Sequence, residues 1–215
     1  FIHGTKNEIL ASRILISRIE KNGYQGKELD DLKLMMDKLL TRMERLHGAI
    51  SSRSVHLDAV PIETVLEEAL RKAERACPGI LIDASGFMEC INVLADTDNL
   101  SEALSNILVN GWEATLSASR SDPVQLAVSL ERLWVSITIQ DNGTGIPKEA
   151  QHRIWEPFYS SKNSSSNWGM GMYFARSIIR MHLGSVRFET RMGRGTRFII
   201  LLPRYDRREE NGCQD

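Results

Sequence analysis

Two asparagines one helical turn apart, Asn106 and Asn110, stand inside DTDNLSEALSNILVNGWEAT at positions 96–115. At that spacing both amides project from one helix face, with Leu104, Ile107 and Leu108 supplying apolar positions around them. Amide oxygens are hard ligands, suited to a cation that keeps several of its waters. A second segment, DNGTGIP at 141–147, follows the apolar run Leu133–Gln140. It places the Asp141 carboxylate at a strand end as a hydrogen-bond acceptor, while Gly143 and Gly145 let the backbone approach a ligand closely. In NWGMGMYF, at 167–174, Gly169 and Gly171 open a helix whose free N–H groups suit phosphate oxygens. Oxygen ligands, phosphate-facing N–H groups and an acceptor for an amino group are what a magnesium-bound nucleoside triphosphate requires.

With GRGTRFIILLP at 193–203, these segments resemble, in order, the adenine-nucleotide site of the GHKL superfamily. That superfamily holds sensor histidine kinases, type II topoisomerase ATPase subunits, MutL-like repair proteins and a family of chaperones. The resemblance implies ATP and Mg2+ as cofactors. It makes Asn110, beside Asn106, the magnesium ligand and Asp141 the acceptor for the adenine 6-amino group. Thr196, in the GxGTxF pattern, either supports adenine recognition or simply begins a strand. WEPFYSSK at 155–162 resembles the phenylalanine box of histidine kinases, with Phe158 as its aromatic. Ser160–Asn167 would then be a lid over ATP, its small polar residues giving flexibility. Lys162 is the cation best placed for the terminal phosphate, or else a solvated loop lysine.

One position separates kinases from hydrolytic relatives. The gyrase-like, MutL-like and chaperone members place a glutamate four residues before the magnesium asparagine, to activate water as a general base. This chain has Asn106 there. An amide cannot take a proton from water, which suits phosphoryl transfer to another acceptor. FIHGTKNEIL resembles the phosphoacceptor box of sensor histidine kinases and makes His3 that acceptor, through a neutral imidazole nitrogen. The box departs from the common pattern at Gly4, where many families carry Glu or Asp. Glu8 lies about 140° around the helix from His3, but Asn7 lies only about 40° away. Some kinase families carry an asparagine there to position water for dephosphorylating the response regulator, which implies the same for Asn7. The implied partners are a response-regulator receiver domain and a second copy of the chain. Two other readings stay open: an ATP-driven GHKL conformational switch, and a degenerate kinase that scaffolds a partner.

The elements that position these groups follow from pattern. Residues 1–55 read as a helical hairpin joined by KNGYQG at 21–26. In its second helix Leu29, Leu32, Met36, Leu39, Met43 and Leu46 alternate spacings of three and four, the seam of a bundle. Dimerisation into a four-helix bundle would bury that seam; packing of the hairpin on its own neighbour is the alternative. Ser51–Val60 reads as a linker. Pro61 then opens a helix that Cys77-Pro78-Gly79 ends. Strands are expected at Ile80–Ala84 and Ile91–Leu94, a helix at Asp98–Ser119, and a hairpin of Val124–Leu130 with Leu133–Gln140. A short helix near Lys148–Arg153, a helix at Met170–Leu183, and strands Ser185–Thr190 and Thr196–Leu202 complete residues 56–205. Arg204–Asp215 reads as a charged tail, with 206–215 outside the domain. The fold class is therefore α+β: a helical hairpin followed by an α/β sandwich of GHKL (Bergerat) type.

Composition sets the remaining limits. At 42% apolar, 215 residues can bury a substantial core. The balance of 27 basic and 28 acidic residues excludes nonspecific nucleic-acid binding as the main role. No run approaches the roughly 18 apolar residues that suggest a membrane span. Cys77, Cys90 and Cys213 lack metal-ligand spacing and read as isolated thiols in a reducing compartment. The chain begins at Phe1 and reads as a fragment, cytoplasmic, with any membrane attachment through an upstream sensor region.

Overall fold

The computed structural model describes residues 12–36 apart from 13, 18, 21–25 and 28, and residues 55–205 apart from 86–90 and 161–168. The chain divides into two units, Phe1–Ser54 and Val55–Asp215. In the first, the described residues of 12–20 and 27–36 are helical. The second helical stretch starts on the Gly26 carbonyl, which accepts from Leu29 N at 3.0 Å. Lys33 pairs with the Glu20 carboxylate across the two stretches. Ile14, Leu15, Ile19, Leu32, Leu34 and Met35 are exposed in the single chain. The seam positions Leu39, Met43 and Leu46 lie outside the described residues.

The second unit is one mixed sheet with helices on one face. Its strands are β1 (Asp58–Pro61), β2 (Ile82–Ser85), β3 (Asn92–Ala95), β4 (Val124–Glu131), β5 (Trp134–Gln140), β6 (Ser185–Arg191) and β7 (Gly195–Tyr205). The order is β1-β3-β7-β5-β4-β2. β7 is long enough to pair β5 along one side and, on the other, β6 and then β3. Every pairing is antiparallel except β2 with β4. The register places Ile139 opposite Phe198, Ile137 opposite Ile200 and Val135 opposite Leu202, so one face carries a continuous apolar block. All six are buried.

Three helices cover that block: α1 (Ile62–Ala76), α2 (Thr97–Ser117) and α3 (Gly171–Met181). α1 buries Ile62, Val65, Leu66, Ala69 and Ala73, one stripe at helical spacing. Each fully buried Ile, Leu or Val there contributes about 1.5–3 kcal/mol. α2 packs between α1 and α3, so it buries residues on more than one side. Its N-cap is Asp96, whose Oδ1 accepts from Asn99 N at 3.0 Å. Among the described residues no helix is long and apolar enough to cross a membrane.

The structure corrects four details of the sequence reading. Asp58–Val60 are not linker: they form most of β1, an edge strand pairing β3, and its short, largely exposed backbone leaves no hydrophobic alternation to read. Arg204 and Tyr205 are not tail, because β7 continues to pair Val93 and Asn92. The segment at 148–153 is a set of turns leading to a 3-10 turn at Arg153–Trp155. Its bonds Ala150 N to Pro147 O and Arg153 N to Ala150 O are tight three-residue closures. The helix of NWGMGMYF starts at Gly171 and ends at Met181, one residue inside the expected start and two inside the expected end.

Candidate functional site

Asp141 follows the last residue of β5 and is buried at 3% exposure. Its Oδ1 accepts from Gly143 N at 2.8 Å and from Thr196 N at 3.0 Å, and its own N–H donates to Thr196 O at 2.9 Å. Among the described residues nothing bonds its Oδ2, which leaves that oxygen for a ligand. Burial raises the Asp141 pKa, and the two N–H donors only partly offset this. The carboxyl is thus oriented by main chain while being costly to ionise.

The wall around it is braced by hydroxyls and one arginine. Thr190 Oγ1 contacts Thr196 Oγ1 at 3.0 Å, donates to Gly195 O at 3.2 Å, and accepts from Ile146 N at 2.9 Å. With its proton on Gly195 O, Thr190 takes the Thr196 proton, which leaves the Thr196 oxygen as an acceptor. Arg120 donates to Asn142 O at 2.8 Å and to Gly193 O at 3.0 Å, tying the Asp141 loop to the β6–β7 turn. Gly195, at φ +94°, lies so close to the Asp141 carbonyl that any Cβ would collide with it.

The other end rests on α2 and the start of α3. A Cβ on Gly171 would stand 3.5 Å from both Asn106 Oδ1 and Asn110 Nδ2. Both amides therefore converge on the first turn of α3, where free N–H groups point outward. The glycine leaves space there that a side chain would fill. Gly169 is at φ +65° with its Cα against the Phe158–Tyr159 backbone, so the two stems of the 161–168 segment meet. Phe158 is itself at φ +68° and 47% exposed, a strained backbone for an aromatic residue. Before it, Trp155 packs on Phe188 and Phe198, and the Arg176 guanidinium of α3 lies 5.3 Å over the Trp155 ring. Among the described residues no group of three His, Cys, Asp or Glu could hold a metal. Any cation here would depend on amide and phosphate oxygens.

Asn106, Asn110, Asp141, Gly143, Gly145, Phe158, Gly169, Gly171 and Thr196 are all placed by the structure, and two subsets converge: Asp141 with Gly143 and Thr196, and Asn106 and Asn110 with Gly171. Gly145 is apart from both, at φ +76°, with its Cβ position 2.5 Å from Arg191 O. His3, Asn7 and Lys162 lie outside the described residues. Three contributors escaped the sequence reading. Gly111 lets α2 pass Asp141: a Cβ there would come 3.2 Å from the Asp141 Cβ. A glycine inside a helix costs about 1 kcal/mol against alanine, and that penalty was the available signal. Thr115, buried, accepts from Asn142 N at 3.3 Å and donates to Gly111 O. His182, also buried, accepts on Nε2 from Asp96 N at 3.0 Å and donates from Nδ1 to Ile178 O at 2.8 Å. This fixes a neutral tautomer and bolts the end of α3 to the start of α2. Burial alone would raise the Asp96 pKa, but hydrogen bonds from Asn99 and from His56 N lower it. The Cys77 thiol is pushed up by burial and by Glu113 and Glu74, away from nucleophilic use.

Comparison with known proteins bears on the family and the fold. Residues 95–206 match the family described as histidine kinase-, DNA gyrase B-, and HSP90-like ATPase. The chain is 27% identical over 201 residues to the two-component sensor PprA of Pseudomonas aeruginosa, covering 86% of this chain and 21% of that protein. It is 32% identical over 218 residues to the sensor histidine kinase YclK of Bacillus subtilis, covering 94% and 45% respectively. It thus spans between a fifth and a half of the length of these curated relatives. Among solved structures, the mycobacterial sensor histidine kinase MprB superposes with a TM-score of 0.58 at 23% identity, covering 68% of this chain and 98% of that one. Full-length ShkA in complex with AMPPNP gives 0.62 at 22%, covering 94% and 44%. At these identities the likeness shows the fold, which is the α/β sandwich expected from the motifs.

Proposed function

We propose, because this chain belongs to the histidine kinase-, DNA gyrase B-, and HSP90-like ATPase family, that it is the cytoplasmic catalytic core of a two-component sensor histidine kinase. The observation that carries the reading is the pair of amides at Asn106 and Asn110, facing the start of α3 with no carboxylate at position 106 to activate water. Such a site holds ATP without a base for its hydrolysis. The names of the relatives PprA and YclK favour the same class.

In this reading Asp141 Oδ2 accepts from the adenine 6-amino group, with Thr196 supporting the base. The N–H groups at the start of α3 face the phosphates, and Lys162, on the lid beside Phe158, faces the terminal one. Asn110 gives an oxygen to Mg2+, which neutralises phosphate charge when bound. His3 supplies a neutral ring nitrogen that forms the N–P bond as ADP leaves. The phosphoryl group then passes to an aspartate of a receiver domain. Asn7, on the face His3 uses, aligns water for dephosphorylating that regulator. A homodimer of the 1–55 hairpins carries both residues.

Two substitutions test this with a cognate receiver domain present. His3→Gln is expected to eliminate phosphorylation from ATP, and Asn7→Ala to leave it while slowing loss of phosphate from the regulator. Phosphate arriving on His3→Gln protein at the parental rate means that the acceptor lies elsewhere. Equal regulator dephosphorylation by parent and Asn7→Ala removes the phosphatase role.

A further inference from the structure

The sheet face turned away from the helices carries a second cavity, of about 230 Å³, beside the β6–β7 turn. Gln140, Arg197 and Glu189 stand side by side across β5, β7 and β6. They alternate with Ile139, Phe198 and Phe188, which belong to or pack on the core, so they face the opposite way. Arg191, Arg194, Thr190, Asp141, Gly195 and Thr196 complete the lining. The cavity therefore lies behind the wall from which Asp141 and Thr196 point towards the helices.

Its charge is unbalanced. Three guanidiniums face two carboxylates, Glu189 and the buried Asp141, whose Oδ1 is already held by Gly143 N and Thr196 N. Among the described residues Arg191, Arg194 and Arg197 make no side-chain hydrogen bond or ion pair. Several other arginines of this unit are engaged, Arg71 and Arg75 with Glu68, Arg153 with Glu156, and Arg120 with two carbonyls, while Arg187, among the described residues, is unpaired like the three but lies outside the cavity. The turn that presents Arg191 and Arg194 is braced, since Gly193 N donates to Thr144 O at 2.8 Å and Gly193 O accepts from Arg120. Three like charges held around a concavity focus a positive potential into it. Guanidinium forks match phosphate oxygens bidentately. The volume lies below the roughly 300–1,000 Å³ of sites for drug-sized ligands, which favours a small anion over a second nucleotide.

We propose that this cavity is a binding site for a small phosphate-class oxyanion, held by Arg191, Arg194 and Arg197 on the reverse of the wall that orients Asp141. Inorganic phosphate and a simple phosphomonoester share the required chemistry.

The test is a titration of the 15N-labelled chain at constant ionic strength, following arginine Nε–H resonances. A magnesium-bound, non-hydrolysable ATP analogue is present to keep phosphate out of the other site. Inorganic phosphate and ethyl phosphate are titrated separately, and the tighter of the two identifies the source. Saturable shifts are expected on the three arginines, with a dissociation constant of about 1 mM or below. Replacing both Arg194→Gln and Arg197→Gln is expected to weaken binding at least about tenfold. Arg187→Gln, on the same exposed face but outside the lining, is expected to leave it unchanged. Shifts that grow linearly without saturating for both anions, or an equal loss in Arg187→Gln, overturn the proposal. The titration also runs without nucleotide, so failure of the ATP reading would not decide it.

Discussion

At the Asp141 end of the site, main chain orients the carboxylate. Two N–H groups hold one carboxylate oxygen, and a glycine and an arginine lock the neighbouring turn. At the Asn106–Asn110 end, two side chains on a helix face meet the first residue of another helix. The difference follows from the ligand parts. A rigid base with fixed hydrogen-bonding edges is recognised by a pre-organised wall, whereas a flexible, hydrated phosphate–cation group needs ligands that can be met by movement. On the proposed reading, the first end serves selection and the second closure.

The largest effect should come from Gly195→Ala, which tests whether the Asp141 end is as rigid as its backbone implies. Positive φ and collision with the Asp141 carbonyl are expected to cost about 2–4 kcal/mol in denaturant unfolding. Near-parental stability would show that the wall yields. His182→Phe probes the frame of the opposite end. It leaves the Asp96 N–H without its acceptor, an expected loss of about 1–3 kcal/mol. A change below about 0.5 kcal/mol would mean that α2 and α3 are held by packing alone.

Asp141 then separates stability from binding. Its folded pKa is raised, so any stability it contributes is present below the unfolded value of about 3.9 and is lost as pH rises through the folded value. If Asp141 accepts from adenine as proposed, nucleotide binding runs the other way, because the acceptor would be the ionised carboxylate. Affinity should therefore fall on acidification, beginning above the ordinary Asp range, while the fold stays intact. Calorimetric titrations across pH check this, and an affinity flat down to the ordinary range contradicts it. Asp96 shows the opposite sign: its lowered pKa contributes stability above about 3.9 that is lost as pH falls through the folded value.

Much of this was legible in sequence, for identifiable reasons. α1 showed through Pro61 at its start and Cys77-Pro78-Gly79 at its end, and β4 and β5 as a hairpin around a short turn whose Arg132 takes φ +53°. The asparagine pair and the glycine segments showed because their chemistry is local. β1 did not, since a four-residue edge strand with mostly exposed positions carries no periodicity. The His182–Asp96 bond did not, because its partners lie 86 positions apart. The arginine cavity did not either: Gln140 joins Glu189 and Arg197 only through the register of three strands.

The contrast between the two ends meets its most direct test in calorimetric titration of ATP into parent, Asp141→Asn and Asn110→Ala proteins, each with and without Mg2+. The parent should bind more tightly with the metal than without it. Asp141→Asn should weaken binding under both conditions, by about 10–100-fold if a charged hydrogen bond of about 1.5–3 kcal/mol is lost. Asn110→Ala should retain the metal-free affinity and lose only the gain that Mg2+ brings. An Asn110→Ala protein that keeps the full magnesium gain, or an Asp141→Asn protein that binds ATP like the parent, would contradict this division of the site.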